Sequence, residues 1–423
     1  MKAMIGYAID SLLLLVFSVY VVTQYKILPT AGTPYWLFGL LFGLLSFNVL
    51  ISLYPPHWVK KRFARIKTVL FWLTMTIVIG GVSVTAMVDR HVGSPIYGVH
   101  DIILQQEAAM RFLIQGKNPY KETYFDTPMK DWHYAELGQD AVNPALYHFV
   151  MPPWYVLFPY FFYFVSIPLL GFFDGRMVLL FCLAGTLYIV IRWFKNKEIG
   201  LTAATLLALS PGIIQYFIEG RSDAFAFFWL VWALYLLDKK KFFWSTVVFA
   251  LATLSKQTVW FALPFYVLYL WWARKKQMRS LWGYAFLFLS IIAVLVGPFL
   301  AWDAKAFIDS VILFLSGGGS HGYPVSGYGL GMVLYSAGVI RDIHAYYPFV
   351  LWQTALGLPT LIFSIKFLLA KPSISRLWMA YGVTLAVVWY FSRYFNNSHL
   401  SYIGSIFILG VLKDLDERLY ETT

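Results

Sequence analysis

The chain has 423 residues, of which 60% are hydrophobic and only 13% are charged. Soluble domains are about half apolar and about a quarter charged, so this composition excludes an ordinary water-soluble domain and indicates a membrane protein. The net charge of +12 does not indicate a nucleic-acid-binding domain, because Lys and Arg cluster in short loops between apolar runs. The single cysteine, Cys182, excludes a disulfide framework and a cysteine-based zinc site.

Apolar runs of membrane-spanning length recur along the whole chain, since a helical span needs about 20 mainly apolar residues. The first run, from Met4 to about Gln24, exceeds the core of a signal peptide, and we interpret it as a retained span. Asp10 inside this run either faces a neighbouring helix or lies near the cytoplasmic interface. The predicted crossings, about twelve in all, lie near residues 4–24, 35–54, 68–87, 176–193, 199–217, 222–238, 242–256, 258–273, 281–301, 346–370, 376–392 and 398–412.

The positive charges of the short loops predict the orientation, because loops rich in Lys and Arg remain in the cytoplasm. With alternating spans, both termini fall in the cytoplasm, and we expect a multi-pass protein of the plasma membrane. The basic clusters are Lys60, Lys61, Arg62, Arg65 and Lys67; Arg192, Lys195 and Lys197; Lys239, Lys240 and Lys241; Arg274, Lys275, Lys276 and Arg279; and Lys366, Lys371 and Arg376.

One apolar run conflicts with this topology. Residues 152–173 have the length of a span, but a crossing there would put the next two basic loops outside. The prolines at Pro152, Pro153, Pro159 and Pro168 also oppose one straight helix. We therefore predict an interfacial or re-entrant segment that begins and ends on the outer face.

These elements divide the chain into three parts. An N-terminal transmembrane hairpin with its basic loop occupies residues 1–67, and a core module occupies residues 68–301. The core module includes a long first outer loop, 88–150, with interfacial helices. Residues 302–423 contain another outer loop, whose glycine cluster at 317–319 is typical of a flexible segment, and the last transmembrane helices. The predicted fold class is all-α, a polytopic integral membrane protein.

The first outer loop holds eight of the 21 acidic residues, and loops of this length are usually functional, although a solvated loop also tolerates acids. Asp101 lies at or near the N-cap of an amphipathic helix from Ile102 to Gln115, where capping is its ordinary role. Gly116 ends this helix, and Pro119 prevents its resumption. The eight acids are Asp89, Asp101, Glu107, Glu122, Asp126, Asp131, Glu136 and Asp140.

Four motifs follow one another on the predicted outer side. They are Asp101 with Ala108, Ala109 and Gly116-Lys117-Asn118-Pro119-Tyr120; Phe149-Val150-Met151-Pro152-Pro153-Trp154; Leu209-Ser210-Pro211 with Glu219-Gly220-Arg221-Ser222-Asp223; and Leu254-Ser255-Lys256-Gln257. In this order they resemble segments of polyprenyl-phosphate-mannose-dependent mannosyltransferases, which belong to the GT-C superfamily. The chain departs from that pattern with Met151 in place of Tyr, Arg221 in place of Gln, and no Pro beside Lys256.

The resemblance covers roughly residues 68–300 and implies an inverting glycosyltransferase with a GT-C-like fold. Such an enzyme moves a sugar, here mannose, from a polyprenyl-phosphate carrier to a hydroxyl acceptor on the extracytoplasmic face. One carboxylate takes the acceptor proton. The matching position is Asp101, and Asp89, directly after the third predicted span, is the second candidate.

Candidate groups for the donor phosphate and sugar follow from the need for cations around a leaving phosphate. Lys256 lies alone at the junction of two apolar runs, so it is a functional candidate unless it snorkels to the interface. Arg221 and Asp223 either bind the donor or pair with each other. His399 either binds phosphate or sugar hydroxyls or is a satisfied interfacial residue, and Gln257 completes the donor set.

The acceptor and the loops that close over a bound sugar have their own candidates. No metal or other cofactor is expected, because fixed cations can neutralise a single phosphate. The expected partners are the lipid-linked sugar donor, a glycolipid or glycan acceptor, and membrane lipids. The acceptor and loop candidates are His100, Lys117, Asn118, Tyr120, His148, His321 and Tyr323.

Two other functions remain open at this point. A secondary transporter or lipid flippase often has twelve crossings with both ends inside, although its polar groups lie near the middle of the bilayer rather than at the ends of spans. A polymerase or ligase that acts on lipid-linked glycans would share the outer-face site and the lipid phosphate. No sequence pattern identifies the acceptor, the sugar, the length of the lipid or the oligomeric state.

Overall fold

Helices account for most of the computed structural model, which describes residues 2–24, 35–134, 142–319 and 321–421. The predicted helical fold is therefore confirmed. Within these residues, five helices are long and apolar enough to cross a membrane, and a bent pair of helices adds a sixth if it is counted as one span. The five are Tyr35–Leu53, Phe63–Val92, Arg176–Trp193, Leu281–Ser316 and Phe349–Ala370.

The N-terminal part consists of long helices and one short helical turn. A π-helical turn at Thr76–Gly80 joins two of them into a single stretch of span length. The elements are α1 (Lys2–Gln24), α2 (Tyr35–Leu53), α3 (His57–Lys60), α4 (Phe63–Met75) and α5 (Gly81–Val92).

The first basic loop is shorter than the sequence predicted. Arg65 and Lys67 lie within α4, and the Nζ of Lys67 is buried 3.1 Å from a carboxylate oxygen of Asp10. Ser11 and Asn48 also accept hydrogen bonds from this ammonium group. Asp10 thus faces neighbouring helices, one of its two predicted placements. The assignment of Lys67 to a loop was wrong because a lysine can be buried once it is paired and hydrogen-bonded.

The predicted amphipathic helix is α6 (Asp101–Ile114). It begins one residue earlier than expected because His100, rather than Asp101, occupies the N-cap position. Gly116 follows its end with a φ of +73°, a left-handed conformation that glycine adopts without strain. Two 3₁₀ turns follow in the same loop, at Pro128–Asp131 and Pro144–Leu146.

Residues 152–173 form two short helices instead of one span. They are α7 (Trp154–Leu157) and α8 (Tyr160–Leu170), and Pro159 lies at the break. Gly171 ends α8 with a φ of +78°. The break agrees with the predicted effect of the prolines, while the position of this segment relative to the bilayer stays a prediction.

The following helices form the centre of the bundle. The predicted single span at 199–217 is bent by 53°, because Pro211 has no N–H with which to continue the preceding helix. α1 packs against one of these helices, α10. The elements are α9 (Arg176–Trp193), α10 (Lys197–Leu209), α11 (Pro211–Glu219), α12 (Asp223–Asp238) and α13 (Phe242–Thr253).

The helix predicted at 281–301 continues to Ser316, although the sequence predicted an outer loop from Trp302 onward. Asp303 interrupts the helical backbone, and its carboxylate accepts a hydrogen bond from the backbone N–H of Ala306. Asp303 therefore caps a second helical stretch at a position where the sequence predicted a loop. The elements are a 3₁₀ turn at Gln257–Ala262, α14 (Leu263–Ala273), α15 (Met278–Ile308), a π-helical turn at Asp309–Leu313 and α16 (Phe314–Ser316).

The C-terminal part closes over the same end of the bundle as α6. A short parallel ladder pairs Ser326 with Tyr394 and Gly327 with Phe395, and it joins two distant loops. The elements are β1 (Ser326–Gly327), α17 (Leu330–Ser336), α18 (Phe349–Trp352), a π-helical turn at Gln353–Gly357, α19 (Leu358–Ala370), α20 (Ile374–Tyr390), β2 (Tyr394–Phe395) and α21 (Asn397–Glu421).

The glycine cluster is packed against the protein rather than free. Gly317 has a φ of +77°, and a Cβ at this position would lie 2.6 Å from the guanidinium group of Arg393. Arg393 is buried and holds the loop through backbone carbonyls. Gly317 is thus held by packing, the flexibility of the cluster stays a prediction, and Ser320 lies outside the described residues. The carbonyls that accept hydrogen bonds from Arg393 are those of Tyr323, Ile343 and Ala345.

Candidate active site

A cavity of about 1450 Å³ opens at the end of the bundle that carries α6. Its walls come from segments far apart in the chain, including the ends of α5, α11 and α20. Nine of the predicted site residues line it. They are Asp89, His100, Asp101, Arg221, Asp223, Lys256, Gln257, Tyr323 and His399.

The turn before α6 is fixed by two loops. The backbone N–H of His100 donates to the carbonyl of Glu219 at 2.7 Å, which ties α6 to the end of α11. The indole N–H of Trp132 donates to the carbonyl of Val99 at 2.8 Å. These bonds hold the first residues of α6 at the cavity wall.

A buried ionic network anchors the middle of α6. Arg90 on α5 forms two hydrogen bonds with Glu107 on α6, at 2.8 and 2.9 Å, and a third with Asp174 at 2.9 Å. The backbone N–H of Gly175 also donates to Glu107 at 3.0 Å. Buried charges are tolerated when each is paired and hydrogen-bonded, as here. The acid Glu107 therefore has a structural role, which the sequence did not assign to it.

Asp174 extends this network to a second arginine, Arg176. Arg176 donates to both of its carboxylate oxygens, at 3.0 and 2.8 Å, and also reaches the carbonyl of Gly98 at 3.1 Å. Burial opposes the charge of Asp174, but His91, Arg176 and Arg90 outweigh it and hold the pKa of Asp174 well below its usual value. The ionised network thus supports the turn that leads into α6.

Asp101 presents a held and ionised carboxylate to the cavity. Its Oδ1 lies 2.6 Å from Nδ1 of His100, and its Oδ2 accepts a hydrogen bond from the amide of Asn143 at 2.9 Å. Burial alone would raise the pKa of Asp101, but His100, Asn143 and the charge of Arg221 outweigh it and keep the pKa below its usual value. The side chain is 14% exposed, so the carboxylate is accessible from the cavity.

Asp89, the second candidate base, is exposed and, among the described residues, not held in place, in contrast to Asp101. Its side chain is exposed at the end of α5 and lines the cavity. Within the described part of the chain, no hydrogen bond or ion pair holds its carboxylate; only its backbone carbonyl is bonded, by the N–H of Gly93 at 2.9 Å. Because catalytic groups need a fixed orientation, the geometry favours Asp101 over Asp89.

Lys256 and Asp223 form an ion pair at the cavity wall. The Nζ of Lys256 lies 2.6 Å from Oδ1 of Asp223, and each side chain is 15% exposed. Asp223 therefore pairs with Lys256, and the alternative that it pairs with Arg221 is not what the structure has. The ammonium of Lys256 is neutralised locally, so it is a weaker candidate for a phosphate than its isolated position in the sequence indicated.

Arg221 is the less satisfied cation. Its Nε lies 3.4 Å from a carboxylate oxygen of Glu219, and its guanidinium lies 4.8 Å from the ring centroid of Tyr216. The side chain is 24% exposed. Since the contact with Glu219 is long, most of the donor capacity of the guanidinium is available to an anion in the cavity.

Two other residues predicted to bind the sugar donor line the cavity and also make structural contacts. The amide of Gln257 donates to the carbonyls of Val150 and Val311, at 2.6 and 2.9 Å, and so joins two walls. His399 is buried; its Nδ1 accepts a hydrogen bond from the backbone N–H of Asn396 at 3.0 Å. Both predictions of a binding role stay open, and both residues also fix the shape of the cavity.

Five of the predicted acceptor and loop residues do not line this cavity. Tyr120 is buried and donates to the carbonyl of Met151 at 3.0 Å, while Asn118 accepts from the backbone N–H of Tyr120 at 3.1 Å. His321 stacks on the ring of Tyr147 at 3.8 Å. The motif Gly116–Tyr120 thus shapes the loop that follows α6, outside the cavity lining. The five are Lys117, Asn118, Tyr120, His148 and His321, and the acids Glu136 and Asp140 lie outside the described residues.

Sequence reasoning missed most of the aromatic lining and Arg393. These residues come from loops, a 3₁₀ turn and a helix end that only the tertiary fold brings together, so no local pattern marks them. Large aromatic rings with polar edges combine apolar contact area with hydrogen-bonding groups. Such a lining suits a ligand that has both apolar and polar surfaces. The aromatic residues missed are Tyr97, Trp132, Tyr134, Trp260, Tyr346, Tyr347, Trp389 and Tyr394.

A narrow second cavity of about 60 Å³ adjoins the first. The two share Arg221, Asp223 and Ser398. The rest of the narrow cavity is mostly apolar, so a charged group near Arg221 would have an apolar channel beside it. Its apolar walls include Leu183, Leu207, Ile213, Phe217 and Phe227.

The described residues contain no group of three or more His, Cys, Asp or Glu side chains that could hold a metal ion. Comparison of the chain with protein-family models, with curated proteins and with solved structures gave no match. We therefore infer the function from the cavity and from the residues that line it.

Proposed function

We propose that this protein is an inverting membrane glycosyltransferase that moves a sugar, mannose, from a polyprenyl-phosphate carrier to a hydroxyl acceptor. One observation carries the proposal: the Asp101 carboxylate and the Arg221 guanidinium line one large cavity in a chain of apolar helices. A base for a hydroxyl and a cation for a phosphate are the two groups that this transfer needs.

The reaction uses these groups in one displacement. The acceptor oxygen attacks the anomeric carbon of the sugar, and the bond from that carbon to the phosphate oxygen breaks with inversion. The Asp101 carboxylate provides the general-base function that removes the proton from the acceptor hydroxyl. Arg221 stabilises the charge that develops on the leaving lipid phosphate. The small cavity beside Arg221 places apolar surface next to the position of the phosphate.

The membrane topology belongs to the same proposal. The chain makes the twelve predicted crossings, with both termini in the cytoplasm and the cavity on the extracytoplasmic side. Lys239 follows α12 at the end opposite Asp223, and Arg274 follows α14 at the end away from Gln257. Since basic loops remain in the cytoplasm, the cavity end of these helices lies on the other side.

A secondary transporter or lipid flippase is the second candidate. The 53° break between α10 and α11 favours it, because broken helices form the binding sites of many transporters. The buried pair of Asp10 and Lys67 is a further charged group among apolar helices, but neither residue lines the cavity. A transporter would leave its substrate chemically intact, which separates it from a transferase. A polymerase would instead yield products of increasing length, and a ligase would transfer a whole glycan in one step.

The test is a transfer assay with the full chain in nanodiscs. Labelled polyprenyl-phosphate mannose and polyprenyl-phosphate glucose are each supplied with membrane lipid extract as the source of acceptor. We expect label to move from the mannose donor into product, with release of one polyprenyl phosphate per sugar transferred. If neither lipid-linked sugar is consumed, the transferase proposal fails. Movement of the intact donor across the membrane of sealed vesicles that contain the protein then identifies a transporter.

A further inference from the structure

The pair formed by His100 and Asp101 has a definite proton arrangement. The 2.6 Å contact between Nδ1 of His100 and Oδ1 of Asp101 needs a hydrogen atom, and an ionised carboxylate has none to give. The hydrogen therefore belongs to Nδ1. The backbone N–H of Ile102 also lies 3.3 Å from the same nitrogen, but a protonated Nδ1 cannot accept it, and the shorter contact prevails.

The other ring nitrogen is left free. With Nδ1 protonated and the ring neutral, Nε2 carries a lone pair and can accept a proton. His100 is 21% exposed and lines the cavity. Among the described residues, none forms a hydrogen bond with Nε2; the ring of Trp132 lies beside the imidazole, with ring centroids 5.5 Å apart.

The carboxylate, by contrast, is already engaged on both oxygens. Oδ1 binds His100, and Oδ2 accepts the amide N–H of Asn143 at 2.9 Å. A carboxylate that holds Nδ1–H fixes the tautomer and the orientation of an imidazole and stabilises the imidazolium that forms when it takes a proton. Asp101 is placed to do this for His100.

We propose that Nε2 of His100 receives the acceptor proton and that Asp101 acts on it as a positioning residue, an inference that rests on the proposed transferase function. The acceptor O–H bond breaks as its oxygen forms the bond to the anomeric carbon, and the proton goes to Nε2. The bond between that carbon and the phosphate oxygen breaks, and its electron pair leaves with the lipid phosphate. The imidazolium is held by Asp101 until it releases the proton to solvent.

The charged groups around His100 are consistent with this role. Asp101 faces it from α6, and Glu219 and Arg221 lie on the turn between α11 and α12 that is bonded to the His100 backbone. Asp101 is the one of these groups that contacts the imidazole directly in the described part of the chain.

The test uses His100→Gly, which leaves space for an added imidazole and keeps a residue that is tolerated at an N-cap. We expect transfer to fall by about 10²–10⁴-fold, the usual contribution of a general base, and to rise again with added imidazole. A second variant, His100→Asn, places a favoured N-cap residue at the same position without a base, and we expect the same loss of transfer in a folded protein. His344→Gly, which removes an exposed imidazole outside the cavity, is expected to keep wild-type activity and to ignore imidazole.

The outcomes separate the two proposals. Rescue of His100→Gly by imidazole, with none for Asp101→Asn, supports His100 as the group that takes the proton. Full activity in His100→Asn, while the wild type transfers sugar, overturns the role of His100 and leaves Asp101 as the direct base. Loss in both His100 variants without any imidazole rescue also overturns it, because a structural role predicts that result. A wild type that consumes no lipid-linked sugar contradicts the transferase itself.

Discussion

The ammonium of Lys256 and the carboxylate of Asp223 lie 2.6 Å apart, at the starts of two helical segments that are 33 residues apart in the chain. This pair joins α12 to the 3₁₀ turn at Gln257–Ala262 at the wall of the cavity. It explains how a lysine persists between two apolar runs, and it leaves Arg221 as the cation that is available to a bound phosphate.

The pair should be more costly to break on one side than to replace entirely. Lys256→Met leaves the Asp223 carboxylate without its partner, and a charged group left unsatisfied costs about 1–3 kcal/mol. The double variant Lys256→Met/Asp223→Leu should recover part of that loss. Thermal unfolding in detergent measures both. Lys121→Met removes an exposed contact with Asp303 at 3.8 Å and should change nothing; equal losses in both lysine variants would contradict this account.

Arg90 should be among the most sensitive positions for stability. Arg90→Met leaves Glu107 and Asp174 without the cation that they share, and breaking a buried pair from one side costs about 3–5 kcal/mol. We expect a large drop in the thermal unfolding temperature, and a loss of activity because α6 carries Asp101. Arg111→Met, on the exposed side of α6, is the matched control. An unchanged unfolding temperature in Arg90→Met would show that this network does not anchor α6.

Gly317 should tolerate no side chain. In Gly317→Ala the new Cβ would lie 2.6 Å from the Arg393 guanidinium, and the residue would also keep a left-handed backbone. The backbone strain alone costs about 1–3 kcal/mol, and displacement of Arg393 would release the loop carbonyls that it binds. Gly318→Ala meets its nearest atom at 3.4 Å and serves as the control. Thermal unfolding should separate the two variants, and similar behaviour would mean that the loop is as flexible as the glycine cluster indicated.

The donor phosphate should depend on Arg221 and not on a metal ion. Arg221→Gln removes a charged hydrogen-bond donor worth about 1.5–3 kcal/mol, so the donor KM should rise about 10- to 100-fold. Addition of a chelator should leave the transfer rate unchanged. Arg341→Gln, an exposed residue outside the cavity lining, provides the control. A rate that collapses with the chelator and returns with a divalent ion would assign the phosphate to a metal instead.

Local signals predicted the local structure well. The start of α6 and its end before Gly116 follow from capping residues and from glycine, which act within one turn of helix. The prolines of residues 152–173 likewise predicted a break that lies at Pro159. These predictions succeeded because the physical cause lies in the same few residues as the effect.

Pairs of residues that are distant in the chain could not be predicted from local sequence patterns. Lys67 counted as a loop charge until its partner, Asp10 on another helix, was known. Asp303 lies in the predicted outer loop, but it caps a helix. The partner of Asp223 could be guessed from its neighbour Arg221, yet the true partner is Lys256, 33 residues away. The aromatic lining had no local signal, because only the tertiary fold brings those rings to one cavity.

The most direct test compares Asp101→Asn with Asp131→Asn, an exposed acid of the same loop that lies outside the cavity lining. Donor binding and sugar transfer are measured on the same nanodisc preparations with labelled polyprenyl-phosphate mannose. The account predicts that Asp101→Asn binds the donor as the wild type does but transfers sugar about 10²–10⁴-fold more slowly, while Asp131→Asn keeps full activity. Full transfer by Asp101→Asn would contradict the account, because the account needs the Asp101 carboxylate either as the base or as the partner that holds His100.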